Sequence, residues 1–420
     1  MGEKRLLEIN LEVGNDNGNS EHDLVINGKV IQQPNVMAKI RKLPMIDEIN
    51  PEYVAQNIHD NLLVTVASPS AAPGIYFIGN YALNSGERIR NIEVGVDNNK
   101  LNSEVIIVNT LAQIAGFVVN QVHSQKEDLA SIEILVKADM TTALPVTQYT
   151  KSAANEFANK FLKDNHTVIV HVGTLNVNVN IIFEYVKVLP ESVPATFELQ
   201  HMAIIKKADK ELTDVEKHHN EDVRELFAEL NQDNKIGTID GRYFVQKRIL
   251  HVSIGEGTTE YPLTKHIEFD PNFIRGSNNG IGHAIDKALD EFKQETNLLN
   301  YSRQKYSAVL KDRSHKYSEA ALDIVSGYIE EESEEILHHI KTEIQRANNE
   351  VDIIVVYGGG SILMKEHLKS KIETVSSKAD IKLFYVPEKF AVTLEAKGMY
   401  EFTTSKIYKA LKSKYLSVNK

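Results

Sequence analysis

The chain has no cysteine, so disulfides and thiolate metal centres are excluded, and the composition fits an intracellular protein. No apolar run reaches the roughly 18 residues that mark a membrane-spanning helix. The opening residues, MGEKRLLEIN, lack the apolar core of a secretory signal. The expectation is a cytoplasmic protein without a membrane contact. A basic surplus is also missing: 47 Lys and Arg stand against 58 Asp and Glu, a formal net charge of −11. Such a surface repels nucleic-acid phosphate, because non-specific binding depends on Lys and Arg releasing counterions. If the protein acts on DNA, an adaptor makes the contact. Internal repeats of solenoid length and low-complexity stretches are absent as well.

What is present is an ordinary globular composition, 42% hydrophobic and 25% charged over 420 residues, long enough for two or more cores. Residues 6–13 form an apolar strand candidate that runs into a turn cluster at 14–20. Residues 23–31 read as a hairpin around Asn27-Gly28. From 34 to 95 the pattern is broken by Pro and Gly, as in an inserted subdomain. Val105, Val108, Ala112, Ala115, Val119 and Val122 recur at helical spacing. Residues 132–136 predict a core strand, and 167–173 with 177–188 predict a hairpin. Residues 206–234 are charged and helical in composition. Strand candidates at 249–254 and 351–357 flank a mostly helical region from 276 to 347.

Three strand candidates end in glycine-rich turns, at residues 16–20, 255–259 and 358–361. Glycines at a strand end bare the backbone N–H groups and let a phosphate approach without a Cβ clash. A following helix adds the attraction of its N-terminus. Any one such turn serves equally well as a plain connection; three in this order point to a nucleotide. Neither common fingerprint accounts for them. The P-loop pattern G-x-x-x-x-G-K-[ST] is missing, and no G-x-G-x-x-G links a strand to a helix with a later acid.

The order Asp16-x-Gly18, Gly255-x-Gly257-Thr258-Thr259 and Gly358-Gly359-Gly360-Ser361 resembles the actin, sugar-kinase and heat-shock-chaperone superfamily. Three stretches resemble the plasmid-segregation actins of the ParM type more specifically: Leu144-Pro145-Val146-Thr147-Gln148-Tyr149, the run from Val186 to Ala195, and Gly398-Met399-Tyr400. The resemblance spans about Leu6 to Tyr400. It implies an α/β, actin-like two-domain ATPase fold made of two ribonuclease-H-like domains, each with an inserted smaller subdomain. Domain I would cover 1–195 with its insertion at about 34–100. Domain II would cover 196–405 with a mostly helical insertion at about 271–347, and 406–420 would be a basic tail.

The resemblance also implies residue roles. Asp16, Gly18, Asn19 and Ser20 would form the first phosphate loop. Gly255, Glu256, Gly257, Thr258 and Thr259 would form the second, with Gly358, Gly359, Gly360 and Ser361 beneath the nucleoside. The cofactor would be ATP, with GTP open as the alternative, together with Mg2+ served through its waters by Asp16. Glu191 would orient the water that attacks the γ-phosphate, since phosphoryl transfer needs an in-line nucleophile and charge stabilisation. ATP held between the domains would drive head-to-tail self-association into a filament that moves plasmid DNA through a DNA-binding adaptor.

Two departures stand out. Ser253 occupies the place of an aspartate usual in the family's second loop, so Glu256 or Glu260 takes over its charge or hydrolysis is slow or differently organised. The span between Ser192 and Ile254 is long, and its charged part, 209–229, reads as a surface insertion. Asp240-Gly241 reads as a hairpin turn, and 330–335 as the solvated, acidic start of a helix. His218-His219 and His338-His339 lack the i, i+4 spacing of shared metal ligands. Ile407, Ala410 and Leu411 give the tail one apolar face suited to packing within the chain. The rival class is a monomeric small-metabolite kinase on the same fold; it needs a general-base aspartate, none lies in a matching motif, and Asp139, at a strand end, stays open for that role.

Overall fold

The computed structural model describes residues 4–44, 50–92, 100–201, 214–234, 239–273, 275–298 and 301–418. The chain divides into two compact units, residues 1–194 with 396–420, and residues 195–395. By sequence, domain II extends to residue 405; in the structure, residues 396–405 belong with the first unit.

The first unit is built on a ten-stranded mixed sheet. Its centre is three long strands, β1 (Arg5–Asn17), β8 (Ile132–Leu144) and β10 (Leu175–Pro190), which run parallel in the order β1-β8-β10. On one side β2 (Glu21–Ile26) and β3 (Lys29–Pro34) continue the sheet as antiparallel strands. Asn27 and Gly28 join them with φ of 47° and 80°, the two positive angles that a tight type I′ hairpin turn requires. β1 continues through Asn17, so the first glycine-rich turn narrows to Gly18-Asn19-Ser20.

On the other side lie β9 (His166–Val172), then β5 (Leu63–Ser68), β6 (Ala71–Ile78), β4 (Val36–Ile40) and β7 (Ile89–Asn91). The stretch read as an insertion therefore adds strands to the same sheet, together with the short helices α1 (Pro51–Gln56) and α2 (Gly79–Asn84). Helix α3 (Glu104–Ser124) crosses the sheet, and α4 (Lys151–Leu162) packs on β10. By length and composition α3 could cross a membrane, with mean hydropathy 1.6, but 89% of that window is buried inside the unit. Its apolarity is that of a helix surrounded by core.

The second unit holds a smaller sheet in which β11 (Arg248–Ile254), β16 (Ile353–Tyr357) and β17 (Lys382–Tyr385) run parallel. Short antiparallel strands β12 (Thr259–Glu260), β13 (Leu263–Lys265), β14 (Glu268–Phe269) and β15 (Gly276–Ser277) extend it. β16 is apolar throughout because both faces are covered. Ile354 and Val356 join a cluster with α7 (Ile281–Thr296), α8 (Arg303–Lys311), α9 (Ser318–Arg346) and α10 (Gly359–Lys378). Ile353 and Val355 join the opposite cluster with α5 (Val193–Leu199), α6 (Asp214–Asn234) and α11 (Glu388–Ala391).

Three expectations are corrected here. Asp240 is no hairpin residue: its carboxylate caps a single 3-10 turn, Gly241–Phe244, by accepting from the Arg242 N–H at 2.9 Å. The run 330–335 lies in the middle of α9, where Ser333 is buried and Glu332 accepts from Asn279 at 3.0 Å, so it starts no helix. The charged stretch after Ser192 is more than a surface addition. Val223, Leu226, Phe227 and Leu230 of α6 put one helical face into the core; residues 206–213 lie outside the described residues.

The chain ends in α12 (Leu394–Thr404) and α13 (Lys406–Val418). Gly14 on β1 admits the close approach of α12: a Cβ there would stand 2.4 Å from the Ala396 oxygen and 2.5 Å from the Tyr400 nitrogen. On α13 the buried Tyr408 hydroxyl accepts from the Met140 N–H at 2.9 Å and donates to the Tyr185 carbonyl at 2.7 Å.

Candidate functional site

Parallel strands bring their carboxyl ends to one edge of a sheet, and ligands of α/β proteins sit outside those ends. In the first unit, Asn15 pairs with Thr142 and Leu144 with Pro190, so Asp16 and Glu191 leave the same edge on strands separated only by β8. Glu191 is fixed by its backbone, whose N–H donates to the Leu144 carbonyl at 2.8 Å, and the chain turns at once through Ser192 with φ of 71°.

Lys100, in the 3-10 turn Lys100–Asn102 that precedes α3, reaches this edge and pairs with Glu191 at 2.5 Å. Both side chains are nearly enclosed, at 7% and 14% exposure. Burial pushes the Asp16 carboxyl up to about 6, with the Lys100 charge opposing that shift and the Glu191 charge adding to it. Two acids and one lysine therefore share one corner of the sheet. No sequence signal marks Lys100; it reads as one surface lysine among many.

Beneath the turn lies a buried polar network. His22 Nε2 meets Asn15 Oδ1 at 2.7 Å, and Asn17 donates to Asn15 Oδ1 at 3.0 Å. Thr110 of α3 accepts from Asn15 at 3.2 Å. Burial lowers the His22 pKa to about 3, so the ring stays neutral and serves as a strut. Asn35 donates to the Gly18 carbonyl at 2.7 Å and holds the turn from β3's far end. The Oδ1 atoms of Asn17 and Asn19 are buried without a protein partner.

In the second unit, Ser253 of β11 pairs with Tyr357 of β16, so the second and third glycine turns also leave adjacent parallel strands. The Gly255 N–H donates to the Thr258 carbonyl at 2.9 Å and closes the second loop as a hairpin. The N–H groups of Ile281 and Gly282, at the start of α7, donate to the Gly255 and Glu256 carbonyls at 3.1 and 2.7 Å. Gly257 is held by His283 at 3.2 Å, and the buried Thr259 hydroxyl donates to the Asn279 carbonyl at 2.7 Å.

Gly358, with φ of 93°, abuts the second loop: a Cβ there would stand 2.5 Å from the Ile254 oxygen, and one at Gly360 2.9 Å from the Gly255 oxygen. Gly359 begins α10 and has open space where a Cβ would stand. The Ser361 hydroxyl is turned inward, donating to the Gly358 carbonyl at 2.8 Å.

The two acids proposed to replace the aspartate absent at position 253 are both engaged. Glu256 pairs with Arg303 of α8 at 3.0 Å, and Glu260 is buried at 3% exposure. A different carboxylate meets position 253: Glu395, buried at 7% exposure, accepts from the Ser253 hydroxyl at 3.0 Å. Among the described residues, no group of three His, Asp or Glu side chains forms a metal cluster.

Glycine loops at the carboxyl ends of parallel strands, one sheet to each compact unit, define the actin-like α/β class. Residues 14–193 match the family model described as the N-terminal domain of actin-like proteins. No curated protein sequence matches the chain.

Among solved structures the chain is similar to the actin-like protein Alp7A, with TM-score 0.63 and 17% identity, covering 97% of this chain and 100% of that one. It is similar to ParM from a 15-stranded Clostridium botulinum filament, with TM-score 0.60 and 15% identity, covering 94% and 99%. Bacillus thuringiensis ParM with ADP gives TM-score 0.55 and 14% identity, covering 94% and 98%. At these identities the likeness establishes the fold.

Proposed function

We propose that the chain is an ATP-driven, filament-forming protein of the ParM type that segregates plasmid DNA in the cytoplasm. The observation that carries this reading is the convergence of Asp16, Lys100 and Glu191 at the carboxyl edge of the β1-β8-β10 strands. The structures of B. thuringiensis ParM with ADP and with AMPPNP, and of the C. botulinum ParM filament, support it by analogy of fold.

In this reading Gly18, Asn19 and Ser20 offer one phosphate loop, and Gly255, Gly257, Thr258 and Thr259 the other. Gly358, Gly359 and Gly360 border the nucleoside. The oxygens of Asp16, Asn17 and Asn19 suit a hard cation, and Mg2+ retains most of its waters in such sites. Asp16 would hold it through water, and the ion would supply charge neutralisation for the triphosphate. Glu191 would then orient the attacking water. Whether GTP replaces ATP is decided by competition in the same binding assay.

The kinase reading needs a general base beside a substrate cleft. Its candidate, Asp139, is engaged with Lys412 of α13 at 2.7 Å, which favours the filament reading. With a net charge of −11, contact with plasmid DNA would run through an adaptor.

Sedimentation tests the proposal. The protein should pellet with ATP and magnesium and remain in the supernatant without nucleotide. Glu191→Gln should still bind ATP and polymerise, but release phosphate about 100-fold more slowly and leave filaments that persist. A wild-type protein that stays soluble and binds no nucleotide would end this reading.

A further inference from the structure

Lysine is almost never enclosed without an anionic partner, because an unpaired ammonium out of water is heavily penalised. Lys100 is enclosed, and the partner it meets is the residue assigned above to the hydrolytic water. Hydrogen bonds hold the chain at or beside each end of the pair. On one side, the Leu101 carbonyl accepts from Lys160 of α4, which ties the 3-10 turn to the next helix. On the other, Glu191 is pinned through its N–H to Leu144. The ion pair thus joins two hydrogen-bonded segments, and Lys100 holds one oxygen of the carboxylate at 2.5 Å.

We propose that Lys100 is a positioning residue for ATP hydrolysis, holding the Glu191 carboxylate in one orientation toward the attacking water. The inference rests on the nucleotide reading of this site and deepens it. In the step concerned, the water oxygen bonds to the γ-phosphorus while the bridging P–O bond breaks, its electron pair leaving on ADP. The proton released by the water passes through Glu191 to the phosphate formed. Lys100 touches neither water nor nucleotide in this scheme; it acts through Glu191, and its charge also favours the ionised Asp16 carboxyl. An orientation error of about 1 Å at such a group is enough to cost roughly 100-fold in rate.

The experiment is a double-mutant cycle on the full chain, with ATP affinity by titration and phosphate release measured separately. Lys100→Met should lower turnover about 100-fold while ATP affinity stays within about threefold of wild type. Lys100→Arg, which keeps the charge, should recover most of the loss. Lys100→Met combined with Glu191→Gln should be no slower than Glu191→Gln alone, since both remove one function. Thermal unfolding of each variant, followed by circular dichroism, identifies a misfolded protein, and Lys100→Arg then carries the comparison.

Wild-type turnover in Lys100→Met, or a double variant slowed by the product of the two single effects, overturns the proposal while leaving the nucleotide reading intact. Loss of ATP affinity equal to the loss of turnover also overturns it, by making Lys100 a binding residue. A wild-type chain that binds no ATP in the same titration overturns the underlying reading instead.

Discussion

Buried histidines show how single residues set the acid limit of this fold. His251 lies at 0% exposure among Thr264, Thr196 and Tyr357, with contacts of 2.9, 3.3 and 3.4 Å. Burial lowers its pKa from 6.5 to about 3. The unfolded chain takes up a proton as pH falls below 6.5, whereas the folded protein does so only near 3. Stability from this group is therefore complete above the unfolded value and lost as pH falls through that window.

His251→Asn should cost about 1–3 kcal/mol at neutral pH, by leaving buried hydroxyls without their partner. Its deficit against wild type should shrink between pH 7 and about 4, because the wild type alone forfeits the histidine's contribution there. Urea midpoints at several pH values test this; a deficit that is constant with pH would contradict it. Asp16 works in the opposite sense. Its carboxyl, raised from 3.8 to about 6, costs stability as pH rises through that interval.

Elements here are defined by what covers them. The hairpin at Asn27-Gly28, the apolar period of α3 and the all-apolar β16 are legible in sequence because each pattern matches one local geometry. The acidic run in α9 and Asp240 mislead because acids suit several environments, and only neighbouring elements decide among them. Gly14 is a case in which an element forbids a side chain, since α12 fills the space a Cβ would need. Gly14→Ala should destabilise the first unit by about 1–3 kcal/mol or more through overpacking. Hydrogen exchange should show the loss in β1 and α12 while β11 and β16 keep their protection.

For the molecule as a whole, the last helix matters more than its basic composition suggests. Removing residues 406–420 would strip Tyr408 from the Met140 and Tyr185 backbone groups and Lys412 from Asp139 and Glu184. Unfolding of the truncated chain should begin in the first unit, with the second retaining its transition, as calorimetry can resolve. A single transition shifted as a block would count against this.

Sequence alone determined the pieces: the strand–glycine turns, the central helix, and a likeness carried by short mixed-chemistry runs such as 186–195. These are local, because backbone conformation and apolar period act over a few residues. Tertiary structure decided the company each residue keeps. Lys100 reaches Glu191 across 91 positions, and Ser253 meets Glu395 across 142. Contacts of that separation arise from strand order and helix docking, which no local pattern encodes. Charge at a site is set by whichever groups the sheet edges bring together.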